Sequence, residues 1–395
     1  MGILSQKKEV PFIMMATIIY LSFSTLLLLE VEACHPVDLE ALLDLKKSIT
    51  EDPNQMLRTW TPSTECCDSW EGVSCDLQQM ARVKAVTLIG LYLDKPMSGT
   101  IPPSIGNLSS LVQLDLTGLK NLSGPIPDSI CRLTKLQYLD LQGNRFSGRI
   151  PSSIGNLQEL IWLRLNGNRL TGPIPPSISN LSSLGVLDLS WNALTGTIPT
   201  PIGNSTERLT QLNLSNNNLT GNLPESIGHH PNLFALNLSN NHFTGEIPES
   251  FGDLQGLISL DLSRNQLGGK IPSQLGNLKK LQALTLSFNG INGEIHSSIG
   301  NMTDLSYLDL SNNQLGGRIP KSLGNFKWLR TIMLSGNKFS GTIPEEVINI
   351  ESLEVFDVSR NRLSGEIPAH KANISKEAFL GNPGLCGSPL PPCKL

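Results

Sequence analysis

Residue types that could carry out catalysis occur in this 395-residue chain, but their spacing does not assemble a reactive site. The six histidines lie at no spacing that would hold a metal together with cysteine or aspartate. The serines lack a histidine and an aspartate in a triad-like pattern, and the sequence contains no phosphate-binding loop and no set of kinase motifs. We therefore expect no enzyme activity, no catalytic residue, no cofactor and no metal site.

Side chains suited to recognition of another macromolecule are more distinctive. Tyr138, Trp162, Arg164 and Trp191 are expected to lie in three consecutive strands and to face the same side. Aromatic and arginine side chains are the usual anchors of protein interfaces, whereas packing between neighbouring strands is the alternative explanation. A second, weaker group is expected at Arg264, Phe288 and Tyr307. The predicted partner-binding residues are Tyr138, Trp162, Arg164, Asp188, Trp191, Arg264, Phe288 and Tyr307.

Six aspartates occupy the middle position of predicted strands, and an acidic line of this kind would favour a basic partner. The alternative is that aspartate is the usual residue at this position of the repeat described next and has no role in binding. The formal net charge of −4 is too small to imply a nucleic-acid partner. The six residues are Asp115, Asp140, Asp188, Asp261, Asp309 and Asp357.

These side chains are carried by a block of 24 residues that recurs along the chain. The block reads L-x-x-L-x-L-x-x-N-x-L-x-G-x-I-P-x-x-I-G-x-L-x-x and is clearest at Leu136–Glu159 and Leu257–Lys280. Its length lies in the range of leucine-rich repeats, and L-x-x-L-x-L has the alternation of a short strand. Because one unit cannot cover its own apolar face, we predict an α/β repeat solenoid of twelve units with a parallel sheet on its concave face. Each strand is followed by an asparagine whose amide is expected to bond the backbone where the chain turns.

The predicted organisation has four parts. Residues 1–33 are a signal peptide with a basic start, an apolar run and a Val-Glu-Ala site before Cys34. The apolar run could also span a bilayer, so an uncleaved N-terminal anchor in the plasma membrane is the alternative. Residues 34–82 form an N-terminal cap with a helix at Val37–Ile49, and Asp38 is a candidate for the cap of that helix. Residues 83–370 form the repeat array, and residues 371–395 form a C-terminal cap.

Six of the seven cysteines lie outside the repeats, which suggests disulfide-stapled caps. We pair Cys34 with Cys66, Cys67 with Cys75, and Cys386 with Cys393, because adjacent cysteines seldom bond each other and the last pair is isolated. Cys131 is left over in an inward-facing stretch and is expected to be a buried free thiol. His230 falls in a position that other units fill with leucine, so it is expected to be packed in the core.

Nine Asn-x-Ser/Thr sequons follow the predicted signal peptide, a density that fits a secreted glycoprotein. Part of this density comes from repetition of Asn-Leu-Ser in the repeat. The sequon asparagines are Asn107, Asn121, Asn180, Asn204, Asn213, Asn218, Asn237, Asn301 and Asn373.

The repeat with Gly-x-Ile-Pro resembles the plant-specific class of leucine-rich repeats. The segment Trp60…Cys66-Cys67…Trp70-Glu71-Gly72-Val73-Ser74-Cys75 resembles the N-cap of plant receptor-like proteins, receptor kinases and polygalacturonase-inhibiting proteins, and Gly381–Cys393 resembles their C-cap. Secreted DNA-damage-toleration-type repeat proteins belong to the same group. The inhibitors usually carry four cysteines in the C-cap, and Ser364 and Gly384 stand where the other two would be expected.

The resemblance implies a right-handed superhelix and a role in recognition. The expected function is a secreted protein of the apoplast or cell wall that binds a protein or peptide, in plant defence or developmental signalling. A receptor kinase or a microbial hydrolase is the expected kind of partner, with no nucleic acid and no membrane span after signal cleavage. The alternatives are an inhibitor of microbial cell-wall hydrolases and a structural or ice-binding solenoid, which a flat, regular array of Thr and Asn would favour. The irregular first unit around Leu91–Met97 is an alternative place for the interface.

Overall fold

The computed structural model describes residues 34–76, 81–200, 202 and 208–393. The predicted signal peptide and the sequon at Asn204 lie outside the described residues. No helix among the described residues is long and apolar enough to cross a membrane.

A sheet of thirteen strands forms the concave face of a solenoid. Twelve strands come one from each repeat and pair in parallel, as the period predicts. The thirteenth comes from the N-terminal cap and pairs antiparallel to its neighbour, which the sequence pattern did not predict. The strands are Val73–Asp76, Arg82–Thr87, Gln113–Asp115, Tyr138–Asp140, Trp162–Arg164, Val186–Asp188, Gln211–Asn213, Ala235–Asn237, Ser259–Asp261, Ala283–Thr285, Tyr307–Asp309, Thr331–Met333 and Val355–Asp357.

A second set of strands covers one side of the solenoid, where only turns were expected. These strands pair in parallel, except that Ile49–Glu51 of the N-terminal cap pairs antiparallel with Met97–Gly99. Most of those in the repeats begin near the ladder asparagine and end near the glycine before Ile-Pro, and the longest of these sheets has eight strands. We call these strands together the lateral sheet. They are Ile49–Glu51, Met97–Gly99, Lys120–Pro125, Arg145–Gly148, Arg169–Pro173, Ala193–Gly196, Asn218–Asn222, His242–Thr244, Asn292–Glu294, Gln314–Gly316, Ser340–Gly341, Arg362–Glu366 and Gly384–Cys386.

Short 3-10 turns close most repeats on the side opposite the concave sheet. Many follow the proline of Ile-Pro, whose fixed φ suits the start of a helical turn and whose missing N–H is not needed there. The turns are Pro103–Asn107, Asp128–Arg132, Ile154–Asn156, Pro176–Asn180, Glu225–His229, Glu249–Asp253, Ser273–Asn277, Ser297–Asn301, Lys321–Asn325 and Lys376–Phe379, and a short α-helix at Glu345–Ile348 takes this place in one unit.

One continuous apolar core runs through the stack, and an asparagine ladder seals it at the end of each strand. In Asn241, for example, the amide nitrogen donates to the carbonyls of Leu214 and Leu238, and the amide oxygen accepts from the N–H of Leu219. Each asparagine thereby bonds its own unit and the preceding one, which confirms the structural interpretation. Asn382 of the C-terminal cap extends the ladder by one further rung.

The N-terminal cap is a helix, Pro36–Ser48, over a stacked pair of indoles. Trp60 and Trp70 are both buried, with ring centroids 5.2 Å apart. The expectation that Asp38 caps the helix was wrong, because the cap residue is His35 and no side-chain cap bond forms. Asp38 is instead fully buried, and its carboxylate accepts from Nε and Nη2 of Arg82 at 2.9 and 2.8 Å and from the N–H of Val83.

Three disulfides staple the two caps, with the pairing expected from the sequence. They are Cys34–Cys66, Cys67–Cys75 and Cys386–Cys393. Cys131 is a buried free thiol, and burial raises its pKa.

A further short α-helix, Cys66–Ser69, carries two of the N-terminal cysteines. In the C-terminal cap Phe379 is buried against Phe356, whereas the next residue, Leu380, is 44% exposed.

Candidate partner-binding surface

The register of the concave sheet aligns the variable strand positions into straight rows. Tyr138 pairs with Trp162 in the first row, and Asp140, Arg164 and Asp188 follow one another in the third. The second position of each of these strands points inward and holds a buried residue such as Leu163. The alternation of a strand therefore places the first and third rows on the outer surface of the concave sheet.

Tyr138, Trp162 and Arg164 form one cluster on this surface. The two aromatic rings meet edge to face, with centroids 5.1 Å apart, and the Arg164 guanidinium lies 4.4 Å from the centroid of the Trp162 ring. Both arrangements are favourable for the quadrupole of an indole. Trp162 remains 39% exposed, so the cluster combines packing within the sheet with a free aromatic surface. The interpretations as packing residues and as anchors are therefore both compatible with the geometry.

Asp140 fixes the position of Arg164 from the neighbouring strand. Its carboxylate lies 3.6 Å from Nη1 of Arg164 and also accepts from the backbone N–H and side-chain amide of Gln142. Burial raises the pKa of Asp140, while the bond from Gln142 and the charge of Arg164 act in the opposite direction. The guanidinium is consequently held over the indole at an orientation set before any partner arrives.

Trp191 does not lie in a strand, contrary to the expectation. It follows the strand Val186–Asp188 by three residues and has a left-handed backbone, with φ of 53°. Its side chain is 64% exposed. The equivalent residue of every following unit that the structure describes also has positive φ, so a row of left-handed residues runs along the end of the concave strands. The row comprises Gly118, Gly143, Gly167, Trp191, Asn216, Asn240, Arg264, Phe288, Asn312, Gly336 and Arg360.

Arg264 and Phe288 are neighbours in this left-handed row. The Arg264 guanidinium lies 4.4 Å from the centroid of the Phe288 ring, and Phe288 is 45% exposed. Tyr307, the third member of the predicted second group, occupies the first row of the next concave strand and is 36% exposed. Partial burial raises the pKa of Tyr307, and the nearby charge of Asp309 adds to the shift.

The acidic line is primarily a device for turning the chain. In all six aspartates a carboxylate oxygen accepts the backbone N–H two residues later, which closes an Asx turn. Asp188 also accepts from the hydroxyl of Ser190 at 2.7 Å and from the amide of Asn213. Its carboxylate is therefore engaged, and a role in binding stays a prediction.

Two further exposed apolar sites lie on the surface, of which the first was not predicted and the second falls in the first unit, the predicted alternative place for the interface. Phe234 and Ile258, adjacent in the concave sheet and 42% and 39% exposed, precede the first row by one position. In the first unit Leu91 and Tyr92 are 52% and 94% exposed. Aligning the units shows apolar residues at these positions. Whether neighbouring units bury such side chains depends on how the units stack, which the periodicity of one unit does not indicate.

The sequon asparagines that the structure describes differ in position and exposure. Asn213 and Asn237 lie in the third row of the concave sheet, where their side-chain oxygens accept from Ser215 and Ser239. Asn121 is half-buried in the lateral sheet. Exposed asparagines away from the concave rows are Asn107, Asn180, Asn218, Asn301 and Asn373.

Comparison with known proteins identifies the family. A leucine-rich-repeat N-terminal domain matches residues 35–76, a leucine-rich-repeat region matches 91–207, and single leucine-rich repeats match five further segments between 208 and 373. A solved plant ice-binding protein is 30% identical, with a TM-score of 0.60, and the match covers 91% of this chain and 98% of that one. The chain belongs to the plant leucine-rich-repeat proteins.

Other relatives of this leucine-rich-repeat protein match over part of their length. Polygalacturonase inhibitor 2 of Phaseolus vulgaris is 41% identical over 92 residues, which are 23% of this chain and 26% of the inhibitor. The ectodomain of the receptor kinase GASSHO1/SCHENGEN3 of Arabidopsis thaliana, in complex with Casparian strip integrity factor 2, is 38% identical with a TM-score of 0.78. That match covers 83% of this chain and 39% of the receptor chain.

Proposed function

We propose that this leucine-rich-repeat protein is an extracellular recognition protein that binds a protein or peptide through its concave sheet. The observation that carries the proposal is the cluster of Tyr138, Trp162 and Arg164. It presents two aromatic rings and a guanidinium, in contact with one another, on a surface where most other units place smaller side chains. Trp191 and the pair of Arg264 and Phe288 supply further exposed anchors along the same array.

The relatives support a protein as the partner. The receptor-kinase ectodomain was solved with a bound factor, and the bean protein is named for inhibition of an enzyme. We propose that this chain is secreted to the apoplast, and that its partner is a receptor kinase or a microbial hydrolase met in defence or in developmental signalling. Inhibition of a panel of polygalacturonases would assign it to the hydrolase inhibitors, whereas recovery of a receptor kinase from plant membranes would assign it to signalling.

The test compares partner capture by the mature, glycosylated protein with capture by single variants. Trp162→Ala should weaken binding by about 2 kcal/mol, close to a thirtyfold loss of affinity, because an exposed aromatic anchor is removed. The melting temperature should change little, since Trp162 is 39% exposed and faces away from the core.

Two controls distinguish binding from folding. Trp328→Ala removes an exposed indole outside the cluster and should leave capture unchanged, whereas Leu163→Ala opens the core and should destabilise by about 2–5 kcal/mol. Early melting of Trp162→Ala would indicate a packing residue. Unchanged stability together with unchanged capture would place the interface elsewhere, and the first unit around Tyr92 would be tested next.

A second candidate function, ice binding, is supported by the lateral sheet. Its strands place a hydroxyl at the equivalent position of six consecutive units, and the match to the plant ice-binding protein extends over nearly all of that protein. Each hydroxyl residue pairs with the residue two positions before the next hydroxyl, as Thr171 does with Ala193 and Thr220 with His242, so the hydroxyls form an oblique row across the neighbouring strands. The hydroxyl residues are Ser123, Ser147, Thr171, Thr195, Thr220 and Thr244.

Inhibition of ice recrystallisation by the purified protein tests this candidate. Thr195→Tyr would interrupt the array and should abolish the activity, whereas Thr200→Tyr, at an exposed threonine outside the array, should preserve it. A wild-type protein without the activity would eliminate ice binding and leave the concave-sheet proposal untouched.

A further inference from the structure

Trp328 is an exposed indole at a position that the fold does not require to be aromatic. It immediately precedes the first leucine of its unit, between the turn Lys321–Asn325 and the strand Thr331–Met333. The equivalent residue of other units is polar or glycine, as in Lys135, Glu159, Ser183, Arg208, Asn232, Gly256, Lys280, Asp304 and Ser352. Trp328 is 64% exposed, so burial of its ring does not explain its presence.

The indole forms one wall of an open depression beside the concave sheet, with a volume of about 540 Å³. The depression extends over consecutive units, with Asp304 and Ser352 in the same column as Trp328. Its lining residues are Gln282, Asp304, Ser306, Trp328, Arg330 and Ser352, so every wall except the indole is polar.

The polar groups keep hydrogen-bonding capacity toward a ligand. The hydroxyl of Ser306 donates to the carbonyl of Gln282, and that of Ser352 donates to the carbonyl of Leu329, which leaves the lone pairs of both hydroxyls as acceptors. Asp304 accepts through one oxygen from Thr303, and its second oxygen can accept another donor. A guanidinium has five N–H donors, and the exposed pairing of Arg330 with Glu354, at 3.4 Å, uses one of them.

We propose that this depression binds the pyranose ring of a neutral oligosaccharide, with the ring stacked on Trp328. A pyranose offers an apolar C–H face and a rim of hydroxyls that both donate and accept. The depression offers one aromatic plate and a surrounding set of amide, carboxylate, hydroxyl and guanidinium groups, which matches that distribution. A peptide anchor would require an apolar pocket with more than one wall, and only Trp328 is apolar here.

The local charge favours a neutral sugar over a uronic acid. Arg330 is the cation among the lining residues, and it is already paired with Glu354. The depression therefore offers no unpaired cation to a ligand carboxylate, and the negative charge of Asp304 opposes one.

A pyranose could reach the depression from two sources. One is a separate oligosaccharide, and the other is the chain's own N-glycan at Asn301, an exposed sequon one unit before Trp328 and three residues before Asp304. The chemistry of recognition is the same for both.

Calorimetric titration of the glycosylated, mature protein and of Asn301→Gln with cellohexaose tests the inference and separates the sources. Binding to both proteins indicates a separate oligosaccharide, and binding to Asn301→Gln alone indicates that the chain's glycan fills the site. Trp328→Ala, introduced into each protein that binds cellohexaose, should reduce the affinity at least tenfold, whereas Trp328→Tyr should retain most of it because the aromatic plate remains. Hexagalacturonate should bind more weakly than cellohexaose.

Matched controls keep the result independent of the proposed protein partner. Trp191→Ala removes an indole of the same exposure in the left-handed row and should leave sugar binding unchanged. The inference is wrong if cellohexaose binds neither protein, if Trp328→Ala binds it as well as the parent, or if hexagalacturonate binds at least as tightly. None of these outcomes bears on Trp162 or on capture of a protein partner.

Discussion

Trp191 shows how a single residue can depart from the needs of the fold. Its left-handed backbone is the conformation that Gly167 adopts one unit earlier and Asn216 one unit later. Glycine and asparagine accept positive φ readily, whereas a bulky side chain is strained there by about 1–2 kcal/mol. A strained residue with a largely exposed side chain is the pattern expected where function, and not stability, selects the residue.

Replacing Trp191 with glycine should therefore raise the free energy of unfolding by about 1 kcal/mol, because the strain is relieved. Trp191→Asn should behave similarly, since neighbouring units use asparagine in the same place. Urea denaturation of both variants measures the gain, with Trp162→Gly as a control, because that residue has a strand conformation and should lose stability. A loss of stability in Trp191→Gly would mean that the indole contributes packing that outweighs the strain.

Cys131 is a residue whose chemistry the fold suppresses. Its side chain is 3% exposed, and burial raises the pKa of the thiol, so less thiolate is present at a given pH than in an unfolded chain. The native protein at pH 8 should react with a disulfide reagent such as dithionitrobenzoate far more slowly than the protein in urea. Because the pKa is raised, the rate of the native reaction should still increase with pH where an unperturbed cysteine has already levelled off. One equivalent of rapidly reacting thiol in the native protein would contradict a buried Cys131.

At the scale of elements, the N-terminal cap depends on a contact that crosses from helix to sheet. Asp38, on the helix, binds Arg82, which begins the first strand of the array 44 residues later, and the hydrogen bond that the guanidinium donates to this carboxylate raises the pKa of Arg82. In the sequence, the position of Asp38 fits a local cap of its own helix. The true partner lies in another element, and no local pattern indicates it.

Asp38→Ala should destabilise the protein by about 3–5 kcal/mol, since it leaves Arg82 and the N–H of Val83 without their buried acceptor. Lys84→Ala is the matched control, because it breaks the partly exposed pair with Asp76 and should cost no more than about 1 kcal/mol. Denaturation monitored by fluorescence of Trp60 and Trp70, which pack in this cap, reports the difference. Equal losses for the two variants would show that the buried pair has no special role in the cap.

The concave strands and the lateral sheet differ in how much of them the sequence reveals. The concave strands follow from leucine periodicity, because inward and outward positions alternate within one unit. The lateral sheet was missed because its strands contain glycine and proline, which locally favour a turn. Strands such as Arg169–Pro173 exist through pairing with the adjacent units, a contact that appears only when the repeats are stacked. Disulfide pairing could be predicted from the sequence because the cysteines are few and lie close together in each cap.

At the scale of the whole molecule, the distance between two residues along the solenoid axis is set by the number of repeats that separate them in the sequence. The concave strand of Trp162 and that of the unit carrying Phe288 are five strand steps apart, roughly 24 Å at about 4.8 Å per step. The aromatic residues of both clusters could be read from the sequence. Their division into two groups could be read as well, but the positions of Trp191 and Phe288 beyond the ends of their strands could not, because these depend on the left-handed backbone of the two residues.

Removal of one complete unit between the clusters tests whether a single partner spans both. Deletion of Leu233–Gly256 removes 24 residues and one strand step, so the separation should fall to roughly 19 Å. Each unit contacts mainly its neighbours, so the shortened solenoid should still fold and should lose stability only in proportion to the lost unit. Circular dichroism and small-angle scattering would verify a shorter molecule of the same kind.

Deletion of Leu329–Ser352 is the matched control, because it also removes 24 residues but leaves the distance between the clusters unchanged. If one partner contacts both clusters, the deletion of Leu233–Gly256 should reduce capture at least as much as Trp162→Ala does, whereas the control deletion should not. Only the first deletion changes the distance between the two clusters, which a partner of fixed length must span. Equal capture by the two deletion proteins would show that the cluster around Trp162 binds its partner without help from Arg264 and Phe288. In that case the second cluster would belong to a different interaction of the same array.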